Sequence, residues 1–257
     1  MTVKEFLERY AYVRRCVGCG ERMGYEYRSE AFCDACRTSW ERAKALSCPE
    51  CFASMADCRC IPEMLSDAGV QGFRKLTAYI SDNASHPENK LLYFMKHNKN
   101  KRVATFVADQ LVYKIDELLV ENGMSRDDVI ITYIPRSRRA CAREGVDQAR
   151  LVSEMISEVS GIECLALIKR KKDGKSEQKR LGRSKRLANV KRLFEIEPRG
   201  ASELGGRAVI IFDDIVTSGA SMAACANILR KAGADKVYAL SVAYAIKEKS
   251  GAKFIFQ

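Results

Sequence analysis

The chain has 257 residues, enough for one large domain or a medium domain with a small appendage. Its formal net charge is +11, but residues 169–192 alone hold twelve Lys/Arg against Asp173 and Glu177, a net of +10. That concentration excludes a uniformly basic, nonspecifically adhesive surface and points to a local anionic partner.

The first ten residues carry charges and no apolar core of signal-peptide length. No later run approaches the roughly eighteen apolar residues of a membrane span, so the expected location is the cytoplasm. Eleven cysteines in a reducing compartment are not expected to form a disulfide framework, and their grouping needs another cause.

Residues 1–15 read as a short helix, with Phe6, Tyr10 and Val13 at helical spacing. Eight cysteines follow as four close pairs: Cys16 and Cys19, Cys33 and Cys36, Cys48 and Cys51, Cys58 and Cys60. Two thiolates separated by two residues grip one metal ion from a tight knuckle, and two knuckles complete a four-thiolate site. Eight cysteines make two such sites, and the intervals between knuckles suit short hairpins, so a double zinc ribbon over residues 1–64 is expected. Sequential pairing, first four then last four, is the expected arrangement, with interleaved pairing as the alternative. Iron–sulfur ligation is the chemical alternative to zinc. His86 and His97 lie outside the cluster, so both sites are all-thiolate, closed and structural.

Residues 65–257 alternate strand and helix, which predicts a parallel α/β domain. Phe73, Leu76, Ala78 and Ile80 mark one or two strands. A helix begins at Pro87 with Leu91, Leu92 and Met95 on its face. A longer one carries Phe106, Val107, Leu111, Ile115, Leu118 and Leu119 and stops at Gly123. Residues 129–134 are a strand closed by Pro135, and a loop over 136–145 holds Arg136, Arg138, Arg139 and Arg143. A helix over 147–160 has Asp147 as its cap and Leu151, Val152, Met155, Ile156 and Val159 as its face; residues 162–168 are a further strand.

The basic segment 169–192 has almost no large apolar residues before Leu181. It reads either as a flap that closes over substrate or as a solvated loop, and its position between two expected core strands favours the flap. Residues 198–206 form a turn-rich connection. The apolar run 208–212 is then a buried strand that delivers Asp213 and Asp214 to the sheet edge, where it is expected to end. Thr217, Ser218, Gly219, Ala220 and Ser221 form a hydroxyl-bearing loop, with Ser221 as the expected N-cap of a helix running to Ala232. Gly233 follows as its C-cap, and residues 236–245 are the last strand. Free N–H groups at such a helix start cradle one phosphate. An acid pair beside the cradle suits sugar hydroxyls or hydrated Mg²⁺, which together describe a ribose 5-phosphate.

The run from Phe212 to Ser221 resembles the phosphoribosyl-diphosphate (PRPP) signature of type I phosphoribosyltransferases, a Rossmann-like parallel fold. The resemblance implies that Asp213 and Asp214 hold the ribose hydroxyls, that Thr217 to Ser221 hold the 5-phosphate, and that Mg²⁺ accompanies PRPP. With the cysteine knuckles and the Ile134-Pro135-Arg136 loop, the whole chain is similar to the ComF/GntX-type group of competence-associated proteins. That likeness assigns Arg136, Arg138, Arg139 and Arg143 to diphosphate, a job suited to planar guanidinium groups. It also matches Gln178, Asn189 and Val190 to flap residues.

Two positions depart from the family pattern: Glu144 stands where an Arg is expected and Asp147 where an Asn is. Both weaken a diphosphate site if they face it, and Asp147 has the alternative role of helix cap. The implied activity is transfer of a phosphoribosyl group to a nitrogen base with release of diphosphate. The alternative is a non-catalytic factor that binds PRPP or nucleotide and handles single-stranded DNA or a helicase-like protein.

Overall fold

The computed structural model describes residues 6, 14–27, 29–80, 87–171 and 192–246. Of the expected N-terminal helix they include only Phe6, which is helical, and its end, where Arg14 and Arg15 are strand instead. Of the basic segment, residues 172–191 lie outside them, and with these go Gln178, Asn189 and Val190.

The first cysteine knuckle is framed by β1 (Arg14–Arg15) paired antiparallel with β2 (Arg22–Met23). Helix α1 (Asp34–Ala45) starts directly after Cys33, an element the cysteine spacing concealed, and buries Trp40 and Ala43. A single antiparallel bridge, Ser47 to Ser54, closes the third knuckle, Cys48 and Cys51, in place of an expected hairpin. A short helix α2 (Glu63–Asp67) leads into β3 (Val70–Tyr79).

Helices α3 (Pro87–His97) and α4 (Lys101–Asn122) follow, the second N-capped by Asn100 and ended by Gly123 at φ 60°. Strand β4 (Val129–Tyr133) opens a segment in which the expected loop contains a helix, α5 (Arg138–Glu144). Ser137 accepts the Ala140 N–H at 3.1 Å, and Gly145 at φ 72° ends it. Helix α6 (Gln148–Ser160) follows. Its buried face holds Val152, Met155 and Ile156 as expected, whereas Val159 is 42% exposed because it lies past the flank of that face.

Residues 162–167 are not a strand. They meet β4 at one parallel bridge, Ile131 to Cys164, and the Leu167 N–H then goes to Leu165 O at 3.0 Å and to the Thr132 hydroxyl at 3.3 Å instead of to the main chain of β4. Strand β5 (Ile168–Arg170) pairs antiparallel with β6 (Phe194–Ile196) in a separate two-stranded sheet. The described ends of the basic segment therefore join that small sheet and not the core sheet. The expected turn after it holds α7 (Pro198–Glu203), with Pro198 in its first turn.

Strand β7 (Ala208–Val216), helix α8 (Ala220–Lys231) and strand β8 (Val237–Ala245) complete the chain. The central sheet has the order β3-β8-β7-β4, all parallel. Strands β4, β7 and β8 read as largely apolar runs because helices cover both faces, whereas the edge strand β3 also carries Arg74, Lys75 and Thr77. One face packs Ile210, Phe212, Tyr238 and Leu240 under α4 and α6; the other packs Val209, Ile211 and Ala239 under α8 and Leu65 of α2.

The cysteine-rich segment shares the first of these cores. Phe32 meets Phe106 edge-on at 5.6 Å, and Trp40 donates its indole N–H to Gln110 at 2.9 Å. The architecture is the expected parallel α/β sheet with two four-cysteine clusters at its N-terminal side.

Candidate functional site

Cys16, Cys19, Cys33 and Cys36 bring their Sγ atoms within 4.8 Å of one another, and so do Cys48, Cys51, Cys58 and Cys60. Pairing is sequential, not interleaved. Gly18 is required by geometry: a Cβ there would stand 2.6 Å from Cys36 Sγ. Burial raises the Cys16 thiol, but backbone N–H groups of Cys19, Cys33 and Gly18 outweigh it and bring the pKa down to about 7. Four soft sulfur donors converging with no histidine and no open position fit a structural zinc ion in each group.

The second site lies at the C-terminal edge of the sheet. Strand β7 does not end at Asp213, as the apolar run suggested. Its ladder with β8 continues through Asp213, paired with Ser241, to Val216, while its ladder with β4 stops at Phe212. The reason is β4: it has only five residues before Pro135, so β7 emerges from its neighbour on one side alone. The acid pair sits in that half-uncovered stretch. Burial and the adjacent Asp214 carboxylate push the Asp213 carboxyl well above the usual carboxylate range. Ser241, opposite it, is fully buried with a hydroxyl that has no hydrogen-bond partner among the described residues. The sequence hid Ser241 as one hydroxyl in an apolar strand.

Asp214 faces the loop after β4. The Arg136 guanidinium reaches it at 3.5 Å and forms a closer ion pair with Glu144. Arg143 holds the other oxygen of Glu144 at 2.8 Å. A chain of alternating charge thus runs from Arg143 through Glu144 and Arg136 to Asp214. Arg143, and then Arg136, hold the Glu144 carboxyl below its usual range. Asp147 serves both as cap, accepting the Arg150 N–H at 3.3 Å, and as brace, accepting the Arg136 backbone N–H at 3.2 Å. Arg138 and Arg139 lie exposed on α5 and meet no carboxylate among the described residues.

Beyond Val216, Thr217 and Ser218 are exposed. The N-cap of α8 is Gly219, not Ser221, which lies inside the first turn. Gly219 takes φ 76°, and a Cβ there would come 3.2 Å from Leu65 of α2, so the turn is tight against the helix that follows the last cysteine. The first helical bond runs from the Ala223 N–H to Gly219 O at 2.8 Å, leaving the Ser221 and Met222 N–H groups with no acceptor one turn back. At the far end the C-cap is Ala232, with Gly233 at φ 105° just beyond.

No family model matches the sequence, and no curated protein matches it. Similar solved structures include the allosteric regulatory enzyme of purine biosynthesis, 17% identical over 60% of this chain with a TM-score of 0.39. Glutamine PRPP amidotransferase from B. subtilis, complexed with ADP and GMP, is 16% identical over 60% of this chain with a TM-score of 0.38. The chain spans 30% of the length of each of these two. A purine phosphoribosyltransferase from Pyrococcus horikoshii Ot3 is 17% identical over 55% of this chain and 82% of that one, with a TM-score of 0.31.

Proposed function

We propose that this chain binds the ribose 5-phosphate part of PRPP and is a phosphoribosyltransferase-like protein whose two cysteine groups hold structural zinc. The observation that carries the reading is the contact of Arg136 with Asp214. It joins an arginine loop from one strand end to the acid pair of the next, beside an uncapped helix start. In this reading the 5-phosphate takes the Ser221 and Met222 N–H groups and the Thr217 and Ser218 hydroxyls. Asp213 and Asp214 hold the ribose hydroxyls, and Arg136, Arg138, Arg139 and Arg143 receive the diphosphate, with which Mg²⁺ enters as part of the ligand.

Breaking the bond from the anomeric carbon to oxygen sends its electron pair to diphosphate and leaves an oxocarbenium-like ribose. The arginines stabilise the first and the carboxylates the second until a base nitrogen attacks. The pairing of Arg136 with Glu144 favours a second reading, in which the same site binds PRPP or nucleotide without turnover. Single-stranded DNA or a helicase-like partner would then meet the exposed Arg138 and Arg139.

Calorimetry with PRPP and with ribose 5-phosphate tests the site: both bind the wild type, and Asp214→Asn weakens each at least tenfold. Unchanged binding in that variant refutes the assignment. Diphosphate release from PRPP across a panel of bases separates the two readings, and labelled single-stranded DNA titrated at two salt concentrations with and without PRPP tests the DNA partner.

A further inference from the structure

Among the described residues three cations are almost fully buried: Arg74, Lys75 and Lys114. Arg74 pairs with Glu121 at 2.5 Å, and Lys114 pairs with Asp57 and Glu117, each at 3.1 Å. Lys75, on β3, is the deepest of them at 2% exposure, yet among the described residues it meets no carboxylate. Its Nζ donates to the backbone carbonyl of Cys58 at 3.1 Å and stands 4.9 Å from the centre of the Phe73 ring. One neutral acceptor and one aromatic face do not offset the cost of burying an ammonium group.

The carbonyl that Lys75 meets belongs to the second cysteine group. Cys58 is one of its four members, and Cys48, Met55 and Cys58 pack with Ala78 of the same strand as Lys75. A divalent ion held by four thiolates leaves a centre with a double negative charge, itself buried on the sheet side. We propose that Lys75 is the countercharge of the second cysteine cluster, so that metal loading there and seating of the ribbon on β3 are one event. Beside the first cluster the corresponding cation, Lys90, donates to Gly18 O at 2.7 Å but is only half-buried, so its charge does not need a buried partner. The inference rests on the zinc reading of the clusters, and the wild-type metal content tests that reading separately.

The experiment compares full-length wild type, Lys75→Met and Lys90→Met for zinc per chain, zinc release to a chromogenic chelator, and melting with and without metal. Two ions per wild-type chain are expected. In Lys75→Met one of the two should be held roughly 10–100-fold more weakly, while Lys90→Met changes little. Metal-free Lys75→Met should melt no lower than the metal-free wild type, because the substitution removes an uncompensated buried charge. Equal loss of stability with and without metal, wild-type zinc release, or a wild type that binds no zinc each overturn the proposal.

Amine acetylation read by mass spectrometry tests it on the unaltered chain. Lys75 is expected to be protected when zinc is bound and modified after chelation. Continued protection in the metal-free protein also overturns it.

Discussion

Both cysteine clusters and the edge site gather like charges in a small volume, but they resolve the repulsion in different ways. In the clusters every side chain is of one type and converges on a point, and Lys75 and Lys90 beside them donate to backbone carbonyls, of Cys58 and Gly18, while Arg59 and Arg37 are taken by Glu121 and Glu30. The thiolates are left for an ion to satisfy. At the edge site the protein interleaves its own opposite charges, Arg143, Glu144, Arg136 and Asp214, while burial and the Asp214 carboxylate push the Asp213 carboxyl above the usual range. The first region has the donors for a permanent metal; under the proposed function the second takes an exchangeable ligand that must compete with internal partners.

The largest expected effect breaks the first half of that contrast. A structural zinc site contributes about 10–16 kcal/mol to folding its segment, so stripping the metal should unfold the ribbon. Trp40 is the only tryptophan in the chain and is fully buried between Phe32 and the α4 side chains Phe106 and Gln110. Chelation should shift its emission to the red while circular dichroism retains the α/β signal. Unshifted emission in metal-free protein would show that the segment needs no metal to dock.

The same contrast explains what the sequence disclosed. Knuckle spacing is local, so both clusters and even their sequential pairing could be read from eight positions. Strand and helix alternation was legible where apolar periodicity is strong, as in α4, and the acid pair and glycine turn stood in readable order. The failures are those of tertiary origin. Strand β7 runs past Asp213 because β4 is short, residues 162–167 leave the ladder as the Leu167 N–H turns to Leu165 O and the Thr132 hydroxyl, and the turn at Gly219 has Leu65 where a Cβ would stand. Charge departures at Glu144 and Asp147 were visible, but their partners were not, since Arg136 finds Glu144 and Asp214 only after folding.

An intermediate effect sharpens the account of Asp213. A carboxyl whose folded pKa is raised contributes stability that is complete below its ordinary value of 3.8 and is lost as pH rises through the raised value. Asp213→Asn removes that loss. The variant should melt higher than wild type at neutral pH, by on the order of 1 kcal/mol, and the advantage should vanish toward pH 4. Its ribose binding should weaken. A wild-type pH profile of stability for Asp213→Asn would mean that Asp213 ionises normally.

The smallest expected effect concerns competition for Arg136. Glu144 is partly buried, with 11% of its side chain exposed, and holds both Arg136 and Arg143. Diphosphate at the arginine loop must displace it, so Glu144→Gln should raise affinity for inorganic pyrophosphate by about fivefold, the worth of one screened ion pair. The gain should shrink as salt is added, because the competing terms are electrostatic. Ribose 5-phosphate provides the control: its phosphate is assigned to the α8 helix start, away from Glu144, so its affinity should hold within about twofold. Equal gains for both ligands would point to a general rise in positive potential. A fall in pyrophosphate affinity would mean that Glu144 positions Arg136 for the ligand instead of competing with it, and that the edge site, like the clusters, is preassembled.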